Sequence, residues 1–136
     1  MKFRRLIYTS QAVEPFNKRK LLDLMHESRS YNAIDSITGL LMHREGFFLQ
    51  VFEGEPSVIE NLLNRILNDT RHTKIEVVQD CPAINRLFSN WTMGCLDFDE
   101  PELSLLPGIR TDLSDPIIVQ ELISKLPEIS NFLLHK

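Results

Sequence analysis

Residues 37–53 read ITGLLMHREGFFLQVFE, two apolar runs, 37–43 and 47–53, separated by Arg44, Glu45 and Gly46. A three-residue polar spacer with a glycine is hairpin length, so the two runs are expected to pair antiparallel at the heart of a sheet. Side chains alternate along the second run, which puts Phe48, Gln50 and Phe52 on one face. Gln50 breaks the apolar pattern. A carboxamide between two phenylalanines costs stability unless its donor and its acceptor both find partners. It reads either as a core glutamine bonded to backbone or as a two-headed amide turned toward a ligand.

Upstream, residues 3–9 have the alternation and the aromatic and β-branched content of a strand. Residues 17–29 follow Pro15 and carry Leu21, Leu22, Leu24 and Met25, the pattern of a helix. Downstream, Ser57 and Glu60 form an S-x-x-E start signal, in which each side chain satisfies an orphan amide of a first helical turn. The stripe Ile59, Leu62, Leu63, Ile66 and Leu67 continues that helix to about Asp69. Residues 75–79 and 91–98 read as two further strands. The order βαββαββ predicts an α+β, ferredoxin-like mixed sheet with two helices across one face. The tail, 102–136, offers Asp115 and Pro116 as a helix start. Ile117, Ile118, Leu122, Ile123 and Leu126 form its apolar stripe, and Pro127 ends or kinks it. It is expected to cover the bare face or to dock on another subunit, dividing the chain into 1–98 and a helical extension, 99–136.

Other polar residues stand where the pattern asks for apolar ones. Positions 21, 25, 28 and 32 follow one helical face and carry Leu21, Met25, Ser28 and Asn32. Asn32 reads as a helix C-cap or, beside Gln50, as a second amide able to meet a heterocycle with carbonyl and imide groups. Arg65 and Asp69, four apart on the second helix and followed by Arg71 and His72, form a surface ion pair or hold the polar tail of a ligand. Tyr8 ends the strand expected to be central.

The bulk properties narrow the function. The 136 residues carry 15 basic and 19 acidic side chains, a formal charge of −4, with cations too scattered for phosphate-backbone binding. Direct nucleic-acid binding is not expected. A chain this long buries about two-thirds of its unfolded surface, enough for one core and one small pocket. No apolar run reaches the roughly 20 residues of a membrane span, and no export signal is visible. Cys81 and Cys95 form no CxxC pair, so a reduced cytoplasm is the expected compartment. His26, His43, His72 and His135 are widely spread, read as surface residues with the exception of His72, and give no metal-ligand spacing.

Taken together, Leu6-Ile7-Tyr8-Thr9-Ser10, Asn32, Ile37-Thr38-Gly39-Leu40-Leu41, Phe48-Leu49-Gln50-Val51-Phe52-Glu53-Gly54 and Asn90-Trp91-Thr92-Met93-Gly94 resemble the BLUF family of blue-light sensors, over residues 3–98. The resemblance implies a noncovalently held oxidised flavin, FAD with FMN or riboflavin as alternatives, between the two helices. Asn32 would bond its C4 carbonyl and N3 region, and Gln50 would lie between the ring and the Tyr8 hydroxyl. Ser28, Arg65, Asp69, Arg71 and His72 would form the outer contacts, while Tyr31 takes no role. The chemistry so implied is transfer of an electron and a proton from Tyr8 to excited flavin, with Gln50 relaying the proton and ending rotated or tautomerised. Trp91 and Met93 would be the packing switch under the tail. Such a chain is a sensor rather than an enzyme, and it signals to a partner protein and self-associates as a dimer or larger ring.

Rival readings are an acylphosphatase-like hydrolase, a flavin redox enzyme, a cysteine-adduct photoreceptor and a ligand-free interaction module. The hydrolase lacks an amide-donating loop, since residues 11–16 include Glu14 and Pro15. The redox enzyme lacks a GxGxxG. Neither cysteine stands where an adduct would form, and the interaction module leaves Gln50 and Asn32 unexplained.

Overall fold

A computed structural model of the chain describes residues 3–70, 72–89, 92–100 and 110–134, without the side chains of His72 and Leu134. In chain order the elements are β1 (Phe3–Ala12), α1 (Lys18–Asp35), β2 (Thr38–Arg44), β3 (Phe47–Gly54), α2 (Pro56–Leu67), β4 (His72–Ala83), β5 (Gly94–Asp97), α3 (Pro116–Ser124) and α4 (Leu126–Leu134). The strands make one mixed sheet in the order β4-β1-β3-β2-β5. The expected hairpin sits near its centre, with Glu45 and Gly46 supplying the positive φ angles of the turn. Every pairing is antiparallel except β2 with β5.

Strand alternation divides the core into two layers. Leu6, Tyr8, Leu41, Phe48 and Phe52 face α1 and α2, packing on Leu21, Met25, Ile59 and Leu62. Ile7, Leu40, Met42, Leu49 and Val51 face the other way, against Leu113, Ile118, Val119, Leu122, Leu126 and Ile129. The tail therefore covers the second face of its own sheet. Asp115 caps α3 by accepting from the Ile117 amide, and the break at Lys125 precedes Pro127.

Several local expectations are corrected. α1 runs to Asp35 instead of stopping at Arg29, and Ser36 in a left-handed conformation is its C-cap, so Asn32 lies inside the helix. The Ser57–Glu60 capping box does not form. Glu55 holds the N-cap position of α2, Pro56 begins the helix, and the Glu60 carboxylate accepts from Arg4 instead. β4 is longer than 75–79, and β5 begins only at Gly94. His43 is buried rather than at the surface, with Nδ1 3.0 Å from Asp97 Oδ1 and Nε2 accepting from the Gly46 amide. His43, Asp97 and Asp99 form the metal-compatible cluster found among the described residues, which sequence spacing could not reveal. Both ring nitrogens are already engaged and Lys18 reaches Asp97, so the cluster reads as a hydrogen-bonded clamp between β2 and β5.

Gly39 has a specific steric duty. A Cβ at this position would run into the Val51 carbonyl oxygen, one strand over and next to Gln50. Gly39→Ala is expected to lower stability by about 1–3 kcal/mol, the usual cost of forcing extra volume into a packed interior. An unchanged urea midpoint would show that β2 and β3 can separate without penalty.

Candidate functional site

The cleft between α1 and α2 meets the sheet where β1 and β3 pair Tyr8 with Gln50. It has a volume of about 290 Å³. Phe52, Leu62 and Ile66 form apolar walls, and Tyr8, Gln50 and Asn32 supply polar groups at its inner end. Ser28 and Asp69 also line it, with Arg65 at the exposed side. Five of the expected contacts, Ser28, Asn32, Gln50, Arg65 and Asp69, are thus gathered with Tyr8 around one space. Arg71, the His72 side chain and Trp91 lie outside the described residues.

Gln50 is 4% exposed and Tyr8 5%. The Tyr8 hydroxyl donates to Gln50 Oε1, and its ring stacks on Phe52 with centroids 5.9 Å apart. Gln50 Nε2 faces the Met93 thioether, 3.9 Å away. A thioether is a weak acceptor. The amide is thus firmly held at its carbonyl end and loosely at its NH2 end, which excludes the backbone-bonded core glutamine as the account of this side chain.

Asn32 donates from Nδ2 to the Thr92 carbonyl at 2.7 Å, and Arg29 donates to the Met93 carbonyl at 3.2 Å. These two bonds draw the 92–93 backbone toward α1. That is why the last strand starts at Gly94 while Met93 still packs with Tyr8 in the helix-side layer. Cys95 joins the same layer, and burial pushes its thiol up to about 11, leaving it neutral at physiological pH. A group in that state is a poor source of the thiolate that adduct chemistry requires.

Sequence reasoning missed part of this site. Tyr31 and Glu27 line the cleft, and the Arg65 guanidinium lies 5.1 Å over the Tyr31 ring while pairing with Asp35. The signal was available, since 24, 27, 28 and 31 share the helical face that carries Asn32.

The pattern of the BLUF family, described as sensors of blue light using FAD, matches residues 3–94. The chain belongs to the BLUF family. It is 36% identical over 110 residues, 80% of its length, to the photoactivated adenylate cyclase subunit beta of Euglena gracilis, and spans 13% of that protein. Among solved structures, the BLUF protein BlrB in its dark state is 30% identical with a TM-score of 0.77, over 93% of this chain and 96% of that one. The photo-activated state of BlsA is 27% identical with a TM-score of 0.66, over 89% and 94%. A bacterial light-regulated adenylyl cyclase is similar over 98% of this chain and 36% of its own, with 27% identity and a TM-score of 0.70.

The BLUF chain is thus a flavin-binding blue-light sensor domain with a mixed five-stranded sheet. The cleft fits that cofactor on its own chemistry. The weakly engaged Gln50 NH2 is a donor awaiting a better acceptor, such as a ring nitrogen or carbonyl. Apolar walls suit a tricyclic ring, and the Arg65 guanidinium, held over Tyr31 and paired with Asp35, is a cation on the exposed side of the cleft. Among the described residues, no helix is long and apolar enough to cross a membrane.

Proposed function

We propose that light reception in this chain is carried by one amide, Gln50, poised between Tyr8 and Met93. Bound flavin supplies blue-light absorption and an excited state able to oxidise a phenol. Tyr8 would give its electron to that excited state and its hydroxyl proton to Gln50 Oε1, the acceptor already bonded to that hydroxyl. Gln50 would pass a proton on from its NH2 end, and charge recombination would return one electron and one proton to Tyr8. The amide then returns to a rotated or tautomerised form whose NH2 end no longer faces Met93. Each bond exchanged is worth about 1 kcal/mol net, so the two arrangements lie close together and the lit one relaxes thermally.

Asn32 and Ser28 on α1 hold the ring, Arg65 and Asp69 take the polar tail, and Arg71 and His72 add outer contacts. Trp91 and Met93 form the packing switch. Residues 1–98 act as the receptor and 99–136 as the output element, with cytoplasmic signalling to a partner protein and no catalytic turnover by the chain itself. Self-association uses the outward side of the tail, where Ile117 is 68% exposed, because the sheet face beneath is already covered. The Euglena cyclases and the bacterial light-regulated cyclase, which are much longer than the part this chain matches, support coupling of such a domain to an effector.

The observation that carries this reading is the unequal bonding of the two ends of the Gln50 amide. Protein purified in the dark should be yellow, and blue light should move its absorption slightly to the red and let it return in darkness. A colourless preparation, or one that bleaches permanently, would overturn it.

A further inference from the structure

The strand that follows Met93 is held at its two ends by different parts of the molecule. β5 has only four residues and pairs with β2 in the parallel sense, from Leu40 with Gly94 to His43 with Asp97. So short an edge strand has few ladder bonds of its own, and side chains at its ends decide where it lies. At the inner end these are Arg29 and Asn32, on the carbonyls of Met93 and Thr92. Asn32 also lines the flavin cleft, so that anchor is shared with the cofactor. The outer anchor stands apart. His43 and Asp97 line a separate space with Phe16 and Lys18.

That outer anchor is fixed in one form. The Gly46 amide donates to His43 Nε2 at 3.1 Å. A ring nitrogen that accepts carries no proton, so the imidazole proton is on Nδ1. Nδ1 therefore donates to Asp97 Oδ1 at 3.0 Å, with the Asp99 carboxylate farther off at 3.6 Å and engaged by the Glu45 amide. The ring is 3% exposed and wedged between Phe16 and Phe48, with centroids 5.2 and 5.0 Å away, which keeps it from swinging out of this bond. We infer that His43 is a positioning residue of the photocycle: its bond to Asp97 holds β5 in the dark register, with Met93 opposite the Gln50 amide, and so speeds the return from the lit state. This rests on the exchange of Gln50 partners proposed above. Once the Gln50 NH2 leaves Met93, the contact between the start of β5 and β3 is gone, and the outer clamp keeps the strand from drifting. A held strand offers the amide its dark partner again. A freed strand lets the lit arrangement settle. Leu96 and Phe98 pack in one layer with Leu113, Val119 and Leu122, so a drift of β5 also reaches the tail.

The test is the dark recovery of the full, flavin-loaded chain after blue light, followed by absorption. His43→Asn places an NH2 near the position of Nδ1 and can still donate to Asp97, but has nothing at Nε2. His43→Gln places its oxygen near Nε2 and can still accept from Gly46, but leaves Asp97 unbonded. Both lose the same ring, so a merely structural role would move them together. The Gln variant is expected to recover at least about fivefold more slowly than the wild type, and the Asn variant within about twofold of it, as for loss or retention of one hydrogen bond to a charged group. Asp97→Ala breaks the bond from the strand side and should be as slow as the Gln variant. Combining the two should add no further delay. The size of the spectral shift should stay as in the wild type throughout. Equal rates for the Asn and Gln variants, or delays that multiply in the double variant, would overturn the positioning role alone. So would an Asp97→Ala protein that recovers as fast as the wild type, whatever the fate of the histidine variants. A wild-type protein with no light-induced shift would overturn the photochemical reading beneath it.

Discussion

Tyr8→Phe should retain bound flavin and lose the reversible blue-light shift entirely. The substitution keeps the ring that stacks on Phe52 and removes one oxygen, the donor to Gln50 Oε1. What disappears is the hydroxyl proton and the readily oxidised phenol. Loss of a donor to a buried acceptor costs about 1–3 kcal/mol, so the variant folds, and its dark absorption serves as the control for occupancy. Gln50→Leu should give the same silence by a different route, since no amide remains to exchange partners. The two differ in emission. Flavin fluorescence should rise in the phenylalanine variant, where the quenching donor is gone, and rise less in the leucine variant, where Tyr8 is still present. A Tyr8→Phe protein that shifts and recovers as the wild type does would remove Tyr8 from the mechanism.

The parts of this site that could be read in advance are those set by short periodicities. Alternation along 47–53 placed Gln50 beside Phe48 and Phe52, and helical spacing put Ser28 and Asn32 on the face of Leu21 and Met25. Features settled by distant partners could not be read. Asn32 resembled a cap because apolar residues thin out after Met25, yet α1 continues until the left-handed Ser36, with the Ile37 amide folding back to the Asn32 carbonyl. Ser57 and Glu60 have the spacing of a capping box, but Arg4, 56 residues away, claims the Glu60 carboxylate. The short β5 results from Arg29 and Asn32 taking the carbonyls of Met93 and Thr92, a competition no local pattern encodes. His43 looked like a surface residue because its partner, Asp97, arrives only when β5 adds to β2.

The largest expected effect on stability belongs to Glu53, which is completely buried at the end of the strand that carries Gln50. Its carboxylate accepts from Arg5 at 2.9 Å and from the Leu87 and Phe88 amides at 2.9 and 2.8 Å. Three donors thus converge on one buried charge and hold the connection between β4 and β5 against the sheet. The same connection is tied to the tail, because Ser130 on α4 donates to the Leu87 carbonyl at 2.6 Å. Glu53→Ala strands the buried Phe88 amide and the part-buried Leu87 amide and leaves the Arg5 guanidinium, itself largely buried, without its counter-charge. Removing one partner from such an arrangement costs about 3–5 kcal/mol, a large part of the roughly 5–15 kcal/mol that holds an ordinary domain folded. Glu53→Gln should cost less, because an amide oxygen can still accept from one backbone donor although the charge is lost. Urea unfolding of the three proteins should therefore rank wild type, Gln and Ala in falling order, and an Ala variant within 1 kcal/mol of wild type would show that water can replace the carboxylate at no cost. Because this residue binds the receptor strand to the loop that α4 grips, the Gln variant should also change the rate of dark recovery while leaving the size of the spectral shift intact. A pure loss of stability would not separate those two quantities.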